Sequence, residues 1–212
     1  MNAHHRGEVS LAAGLACIAG FVDAVAYVHL GGYFVSFMSG NSTRGGVELA
    51  HGSLHGWALA VGLVAAFVFG VICGSVLTHV VREHQRAAVL VLVAFTLMLA
   101  ALTGTSASLG FAAPPLMALA MGAENAVFQK GGEVTIGVTY MTGNLVKMAQ
   151  KFVAGFFGGA RWVWLRYCAL WMAMASGALL GALSYGWIAM FSLWIAAGVT
   201  VLSVVVSRVY VH

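Results

Sequence analysis

The chain alternates between six long apolar stretches and short segments that contain glycine, proline, asparagine or charged residues. The apolar stretches cover about 10–30, 57–81, 87–107, 116–129, 163–183 and 187–207. A helix needs about 20 mostly apolar residues to cross the hydrocarbon core of a membrane. Pro114 and Pro115 suit a helix start, because the first helical turn lacks internal acceptors for its N–H groups. The pattern predicts an all-α, multi-pass membrane protein with six transmembrane helices.

The composition supports this class of protein and excludes others. Hydrophobic residues make up 61% of the chain and charged residues make up 8%, and the mean hydropathy is +0.95. Soluble domains contain roughly 25% charged residues, so this chain could not cover a soluble surface with polar groups. The net charge of +4 is spread singly over helix ends and predicts no nucleic-acid partner. The predicted partners are a small-molecule substrate and membrane lipid.

One polar motif occurs twice within the apolar sequence. Residues 38–44 read Met-Ser-Gly-Asn-Ser-Thr-Arg, and residues 141–147 read Met-Thr-Gly-Asn-Leu-Val-Lys. Upstream of these, Gly-Phe-Val-Asp-Ala-Val begins at Gly20 and the similar Gly-Ala-Glu-Asn-Ala-Val begins at Gly122. We therefore interpret the chain as two diverged copies of one three-helix unit. The first copy covers residues 1–108 and the second covers residues 109–212. Repeats with polar groups at membrane depth are typical of secondary transporters.

Each copy of the motif follows an apolar segment that does not look helical. Residues 33–38 and 134–141 are rich in β-branched and aromatic side chains, and a Gly-Gly pair precedes each segment. Irregular backbone at membrane depth is tolerated only inside protein or along a watery cavity. We predict that each segment is a re-entrant arm. An extended stretch enters the membrane, and a short half-helix over 42–51 or 145–153 returns.

The motif also places good capping residues at the start of each half-helix. Ser, Thr and Asn at an N-cap accept hydrogen bonds from the first free N–H groups. We predict that the half-helices begin at or near Asn41 and Asn144, with Ser39 and Thr142 as alternative caps. Their positive N-terminal ends would then point inward. The predicted substrate-binding residues are Ser39, Gly40, Asn41, Thr142, Gly143, Asn144 and Asn125.

The distribution of Lys and Arg predicts the orientation in the membrane. With the N-terminus in the cytoplasm and six spans, nine of the ten cations lie on or near the cytoplasmic side, and only Arg44 lies outside. Such an excess is typical of cytoplasmic segments. Because three helices per copy is an odd number, the second copy enters the membrane from the opposite side. We therefore predict inverted repeats with both termini cytoplasmic, the first motif facing outside and the second facing inside. The nine cytoplasmic cations are Arg6, Arg82, Arg86, Lys130, Lys147, Lys151, Arg161, Arg166 and Arg208.

These motifs resemble those of a known family. A Gly-x-x-Asp-Ala helix with Met-Ser-Gly-Asn, followed by Glu-Asn-Ala with Met-Thr-Gly-Asn, is similar to the YoaK-like family of bacterial inner-membrane proteins, domain of unknown function 1275. The resemblance covers nearly the whole chain and implies a multi-pass inner-membrane protein without an established activity. Glu124 stands where an amide is expected in such proteins. The motif residues correspond to Gly20, Asp23, Ala24, Ser39, Gly40, Asn41, Asn125, Ala126, Thr142, Gly143 and Asn144.

Two carboxylates fall inside predicted transmembrane helices, Asp23 in the first and Glu124 in the fourth. An ionised carboxylate at bilayer depth costs at least about 2.5–3.5 kcal/mol, so each must face a cavity, pair or stay protonated. One interpretation is a proton or cation relay, and the other is a buried acceptor for backbone groups of the re-entrant arm. Arg44 and Lys147 occupy equivalent places one turn into the half-helices. They either pair with these carboxylates, attract an anion or reach the headgroups.

The sequence contains little evidence for catalytic chemistry. Glu48, His51 and His55 share one helix face, but a location at the membrane interface explains them equally well, so we predict no metal site. We also find no nucleophile with a matching base. We therefore predict neither an enzyme nor a bound cofactor.

Glycines spaced four apart recur in corresponding helices of the two copies, at Gly70/Gly74 and Gly177/Gly181. This spacing lets helix backbones approach closely. It indicates either close packing inside one bundle or the seam of a homodimer.

The predicted function is a secondary, proton-coupled transporter of a small polar or anionic solute, which binds between the two motifs. The alternative is a passive channel with aquaporin-like logic, in which two half-helices meet at the midplane. The Asn-Pro-Ala sequence of aquaporins is absent, and carboxylates inside the membrane favour coupling. A membrane enzyme or assembly factor is a weaker candidate.

Overall fold

A computed structural model describes residues 3–81, 83–130 and 133–210, without the side chains of residues 3–6, 130, 206 and 208–210. The cations at positions 6, 82, 130 and 208 and the Gly131-Gly132 pair, which the sequence analysis used, lie outside the described residues or side chains.

Eight α-helices make up most of the described chain, which confirms the all-α class. They are α1 (Ala3–Leu30), α2 (Met38–Ala50), α3 (Leu54–Val80), α4 (Gln85–Gly104), α5 (Ala113–Glu124), α6 (Met141–Ala154), α7 (Trp164–Ile188) and α8 (Ser192–Tyr210). Single 3₁₀ turns lie at Gly110–Ala112, Asn125–Phe128 and Ala189–Phe191. A short antiparallel hairpin joins β1 (Gln129–Lys130) to β2 (Glu133–Val134).

Four helical stretches in the described residues are long and apolar enough to cross a membrane: Gly7–Leu30, Leu54–Val80, Gln85–Gly104 and Trp164–Val205. The last stretch has 42 residues, and one straight helix of that length would measure about 63 Å, twice the hydrocarbon thickness. It is broken at Ala189, where φ is 47°, and it therefore contains both α7 and α8. The helix α5, with 12 residues, is shorter than a span, although 3₁₀ turns extend it on both sides.

Apolar side chains cover the outer surface of the long helices. Phe69 and Val76 of α3 and Leu179 and Leu183 of α7 are each more than half exposed. Water would disfavour so large an apolar surface, whereas lipid tails match it. Together with the spanning helices, this surface identifies a multi-pass membrane protein.

Glycines bring α3 into close contact with α5. Gly70 lies against the backbone of Leu119 and Gly74 lies against the backbone of Ala123, so the two helices run parallel. A Cβ atom at Gly70 would overlap the carbonyl oxygen of Leu119. Both glycines are buried, so this small-residue spacing serves packing within the chain.

The same kind of crossing joins α1 to α7. Gly177 lies against the backbone of Cys17 and Gly181 lies against the backbone of Phe21, again with the two helices parallel. Both glycines are buried. The hypothesis that these glycine pairs form a homodimer seam is therefore wrong, because helices of the same chain already cover them.

The two short helices lie toward opposite ends of the bundle. In α2, Arg44 contacts Gly32 just after the end of α1. In α6, Lys147 lines a cavity with Glu8 and Arg166, which are near the starts of α1 and α7. Since α1 and α7 are parallel, their starts lie at one end and the end of α1 lies at the other. This arrangement positions the two polar motifs.

Candidate functional site

Asp23 anchors the segment between α1 and α2. Its Oδ1 accepts hydrogen bonds from the backbone N–H groups of Val35 at 2.7 Å and Ser36 at 2.9 Å, and the residue is 6% exposed. Buried backbone N–H groups are almost always paired, and Asp23 pairs two of them in this segment. These are the backbone contacts that the sequence analysis considered as the alternative to a proton relay.

Asn125 likewise forms hydrogen bonds to the chain before the second motif and to the preceding helix α5. Its Oδ1 accepts a hydrogen bond from the hydroxyl of Thr139 at 2.9 Å, and its Nδ2 donates to the carbonyl of Met121 at 3.0 Å. The residue is 2% exposed. A neutral amide can therefore fix the segment before the second motif, where the first copy uses a carboxylate.

The motif asparagines bind the chain that precedes them. Asn41 Oδ1 accepts from the N–H of Phe34 at 2.9 Å, and its Nδ2 donates to the carbonyl of Phe34 at 2.6 Å. Asn144 Nδ2 donates to the carbonyl of Gly137 at 3.2 Å. In both copies the partner lies seven residues earlier. Each asparagine therefore fastens an irregular segment to the first turn of a short helix.

The predicted helix starts at Asn41 and Asn144 are consequently wrong. The short helices begin three residues earlier, at Met38 and Met141, and neither has a side-chain cap. The asparagine side chains are occupied by backbone outside the helix, so they do not cap it. The alternative caps Ser39 and Thr142 are likewise second residues of their helices.

The first turns of α2 and α6 meet at one cavity of about 250 Å³, which we call the central cavity. Eight of its lining residues form four pairs at the same place relative to the two motifs: Ser36 with Thr139, Phe37 with Tyr140, Met38 with Met141, and Ser39 with Thr142. Gly143 and Phe67 complete the lining. Both uncapped helix starts therefore contribute residues to the same polar-edged space.

Arg44 contacts residues that are near it in sequence. Its Nη1 donates to the carbonyl of Gly32 at 2.7 Å, its Nε lies 3.4 Å from Glu48 Oε1, and its guanidinium stacks 4.0 Å above the ring of Tyr33. Hydrogen bonds from Ser53 and Tyr33, together with the charge of Arg44, hold the pKa of Glu48 below its ordinary value. The predicted alternative of a pair between Arg44 and an intramembrane carboxylate is therefore not what the structure contains.

Glu48, His51 and His55 do not come together as metal ligands. In the part of the chain that the structure describes, no three His, Cys, Asp or Glu side chains form such a group. Glu48 instead accepts a hydrogen bond from the hydroxyl of Tyr33 at 3.2 Å.

Glu124 differs from Asp23 in its surroundings, because the described residues offer it no hydrogen-bond partner. The residue is fully buried at the end of α5, and neither of its carboxyl oxygens has a hydrogen-bond partner among the described residues. Burying an ionised carboxylate without a partner is very costly. Glu124 is therefore the group in the described structure whose charge state most needs explanation.

A second cavity of about 230 Å³ lies beside α6, which we call the basic cavity. Lys147 and Arg166 line it together with Tyr167, Asn144 and Glu8. Arg166 Nη2 donates to the hydroxyl oxygen of Tyr167 at 2.6 Å. Two cationic side chains, those of Lys147 and Arg166, therefore border the same cavity.

Comparisons with known proteins agree with this membrane architecture. A family model described as "Protein of unknown function (DUF1275)" matches residues 11–206. The chain belongs to this family. It is also similar to the "UPF0700 transmembrane protein RA0705" of Rhizobium meliloti (strain 1021), with 31% identity over 187 residues, which cover 88% of this chain and 80% of that protein. No solved structure matches the chain. The resemblance to domain of unknown function 1275 is thus confirmed.

Within this DUF1275 protein, the structure places the predicted site residues in different surroundings. Ser39, Thr142 and Gly143 line the central cavity, while Asn144 and Lys147 line the basic cavity. Gly40 packs against the rings of Phe34 and Phe37, and Glu124 is buried without a hydrogen-bond partner among the described residues. The backbone contacts described above are made by Asn41, Asn125, Asp23 and Arg44.

Several residues of both cavities have no clear signal in the sequence. In the sequence, Ser36 and Thr139 stand out only as equivalent hydroxyl residues two positions before the motifs. For the basic cavity, Glu8 and Arg166 gave no local signal, because they are distant in sequence and meet only through the packing of α1 on α7.

Proposed function

We propose that this protein is a secondary, proton-coupled transporter that binds a small polar or anionic solute in the central cavity. The observation that carries the proposal is the paired lining of that cavity by equivalent residues of the two copies. Transporter sites typically lie at the interface of two repeats, near half-helix ends. A volume of about 250 Å³ exceeds many times the roughly 10–15 Å³ that one water requires.

The proposal includes six transmembrane helices arranged as two inverted repeats, residues 1–108 and 109–212. Equivalent crossings support it. Gly20 of α1 contacts the backbone of Met174 in α7, and Gly122 of α5 contacts the backbone of Phe67 in α3. In both crossings, the second long helix of one copy packs against the first helix of the other copy. In this arrangement α5, with its flanking 3₁₀ turns, is the fourth span.

The orientation that we propose places both termini in the cytoplasm of a bacterium and the protein in its inner membrane. The contacts of α2 and α6 at opposite ends of the bundle support one motif on each side. The segments before them would be re-entrant arms, held at depth by Asn41 and Asn144. Backbone groups without partners are costly in lipid, and these two side chains supply hydrogen-bond partners to such groups.

The helix starts at the central cavity suit the proposed solute. An uncapped helix N-terminus presents free N–H groups and a partial positive charge. Two such ends on one cavity favour an anion or a strongly polar group. Ser39 and Thr142 add hydroxyl groups that both donate and accept hydrogen bonds.

Glu124 is the coupling group that the geometry favours, with Asp23 as the second candidate. A carboxyl group that is buried and unpaired is acceptable in the membrane as the neutral acid, so its deprotonation must coincide with a conformational change or a cation. Asp23 already has two backbone donors. Asn125 shows that an amide can replace such an acceptor, so Asp23→Asn should fold.

Proteoliposomes with an inward-directed proton gradient test the function. Uptake of phosphate, succinate, glycine and glycerol is measured with and without the gradient. At least one solute should accumulate above equilibrium, and Glu124→Gln should abolish accumulation while exchange continues. Glu133→Gln, on the exposed hairpin strand β2, is the matched control and should behave like wild type. If none of the four solutes enters the proteoliposomes, the transport proposal is contradicted.

The same measurement separates the alternative function. In a passive channel, the facing helix starts at the central cavity would form a selective constriction, as the paired lining allows. Solute would then equilibrate and never accumulate, whatever the proton gradient. Loss of accumulation in Asp23→Asn with normal uptake in Glu124→Gln would transfer the coupling role to Asp23.

The proposed partners are the solute, bilayer lipid and a second copy of the chain. Because the glycine pairs are covered within the chain, a homodimer would have to use other apolar surfaces, such as the exposed face of α3. No cofactor, metal or enzymatic reaction is part of the proposal.

A further inference from the structure

The basic cavity concentrates positive charge beyond what its own acid neutralises. Lys147 and Arg166 line it, and the acid that also lines it, Glu8, has Oε1 2.6 Å from Nη2 of Arg86. The carboxylate of Glu8 is therefore already matched by a cation. Lys147 and Arg166 together leave two positive charges for the space between them.

Three side chains of the cavity can donate hydrogen bonds to a ligand. Arg166 directs its Nη2 at the oxygen of Tyr167, which leaves the hydroxyl hydrogen of Tyr167 available as a donor. The ammonium group of Lys147 and the guanidinium group of Arg166 have donors and no acceptor. The cavity thus offers donors and positive charge to a ligand that carries acceptor oxygens.

We propose that the basic cavity binds an oxyanion, a phosphate or carboxylate group, through Lys147, Arg166 and Tyr167. Guanidinium groups bind such oxygens in a planar, two-bonded geometry, and an ammonium contributes as a point charge. The volume of about 230 Å³ accommodates a small organic anion or the headgroup of an anionic lipid.

The position of the cavity links it to the proposed pathway. Asn144 lines the basic cavity, and its neighbour Gly143 lines the central cavity. The first turn of α6 therefore borders both spaces. In the first copy the cation equivalent to Lys147 is Arg44, and its contacts with Gly32, Glu48 and Tyr33 occupy it. The anion site is therefore a property of the second copy alone.

This inference rests on the proposed function only in taking the anion to be the transported solute. Binding itself is measured without transport, on the purified full chain in neutral detergent. The probes are inorganic phosphate and succinate, each compared with chloride at equal ionic strength. A ligand that binds the folded protein raises its apparent stability with a saturating dependence on concentration.

The variants are Lys147→Gln and Arg166→Gln, with Lys151→Gln as the matched control. Lys151 lies one turn further along α6, is exposed and does not line the cavity. Its substitution therefore removes the same charge from the same helix without changing the cavity. We expect saturable binding of phosphate or succinate that weakens at least tenfold in both cavity variants and is unchanged in the control. Lys147 is exposed, so its variant decides the question if Arg166→Gln fails to fold.

A lipid arm distinguishes the source of the anion. Nanodiscs of neutral lipid are compared with nanodiscs that contain phosphatidylglycerol. Phosphatidylglycerol that competes with phosphate, and loses this effect in Lys147→Gln, would identify a headgroup site and support the anion chemistry. Equal responses in all variants, or no saturable binding of phosphate, succinate or phosphatidylglycerol, would overturn the proposal. Binding without proton-driven uptake would leave this site intact and remove only the transporter.

Discussion

Asn41→Ala should destabilise the protein more than Asn144→Ala, because the two asparagines make different numbers of contacts. Asn41 has two hydrogen bonds to the backbone of Phe34, at 2.9 and 2.6 Å, and Asn144 has one to Gly137, at 3.2 Å. Each buried backbone group left without a partner costs about 1–3 kcal/mol. The contacts are partly buried, so water replaces some of them and the lower end applies. We expect losses of about 2 kcal/mol for Asn41→Ala and about 1 kcal/mol for Asn144→Ala.

Unfolding in mixed micelles with increasing dodecyl sulfate, followed by circular dichroism, measures these differences. Ser42→Ala is the control, since its exposed hydroxyl bonds only to the carbonyl of Met38 in its own helix. It should change the free energy of unfolding by less than about 0.5 kcal/mol. Transport by both asparagine variants should fall further than their folded fraction, because the helix starts at the central cavity would shift. A loss for Asn41→Ala no larger than that for Ser42→Ala would refute the reasoning.

Three further predictions concern packing, topology and pH. Gly70→Ala inserts a methyl group against the carbonyl of Leu119 and should cost about 1–3 kcal/mol, whereas Gly62→Ala, with nothing within 4 Å of its Cβ, should be neutral or stabilising by up to about 1 kcal/mol; equal effects in the unfolding assay would contradict the close crossing. Ser42→Cys in a cysteine-free background should react with an impermeant maleimide from outside the cell, and labelling only from the cytoplasm would exclude the inverted arrangement. Because the folded pKa of Glu48 lies below its ordinary value, the ionised side chain stabilises the folded state at neutral pH, and this contribution disappears as the pH falls through the folded pKa. The difference in melting temperature between wild type and Glu48→Gln should therefore shrink as the pH falls from neutral to below the ordinary glutamate pKa of 4.5, and a constant difference would contradict it.

The apolar pattern located the long helices well because their formation is a local matter. A run of apolar residues in lipid must satisfy its own backbone, and a helix does so within the segment. The stretch expected at 57–81 is the helix Leu54–Val80, and the stretch expected at 87–107 is Gln85–Gly104. The fourth stretch was less accurate. Beyond Glu124 the chain continues as a 3₁₀ turn and then the short strand β1.

The starts of the short helices were wrong because they depend on contacts outside the helix. Capping preferences are local and favour Asn41 and Asn144 as first residues. In the structure these side chains bond to backbone seven residues earlier, and the helices begin at Met38 and Met141. Buried backbone groups are almost always paired, and in this structure the asparagines pair backbone groups of Phe34 and Gly137.

The sequence by itself determined that this is a helical membrane protein with a duplicated polar motif, since composition, apolar length and self-similarity need no tertiary information. Only the tertiary structure decided what the motif residues touch. It brought Ser39 and Thr142 to one cavity, paired Arg44 with Glu48 and left Glu124 without a hydrogen-bond partner among the described residues. The physical reason is that such contacts depend on which helices pack together. In this chain, close crossings at glycines join helices that are distant in sequence, and hydrophobicity alone does not specify which surfaces meet, because lipid is as apolar as the helices are.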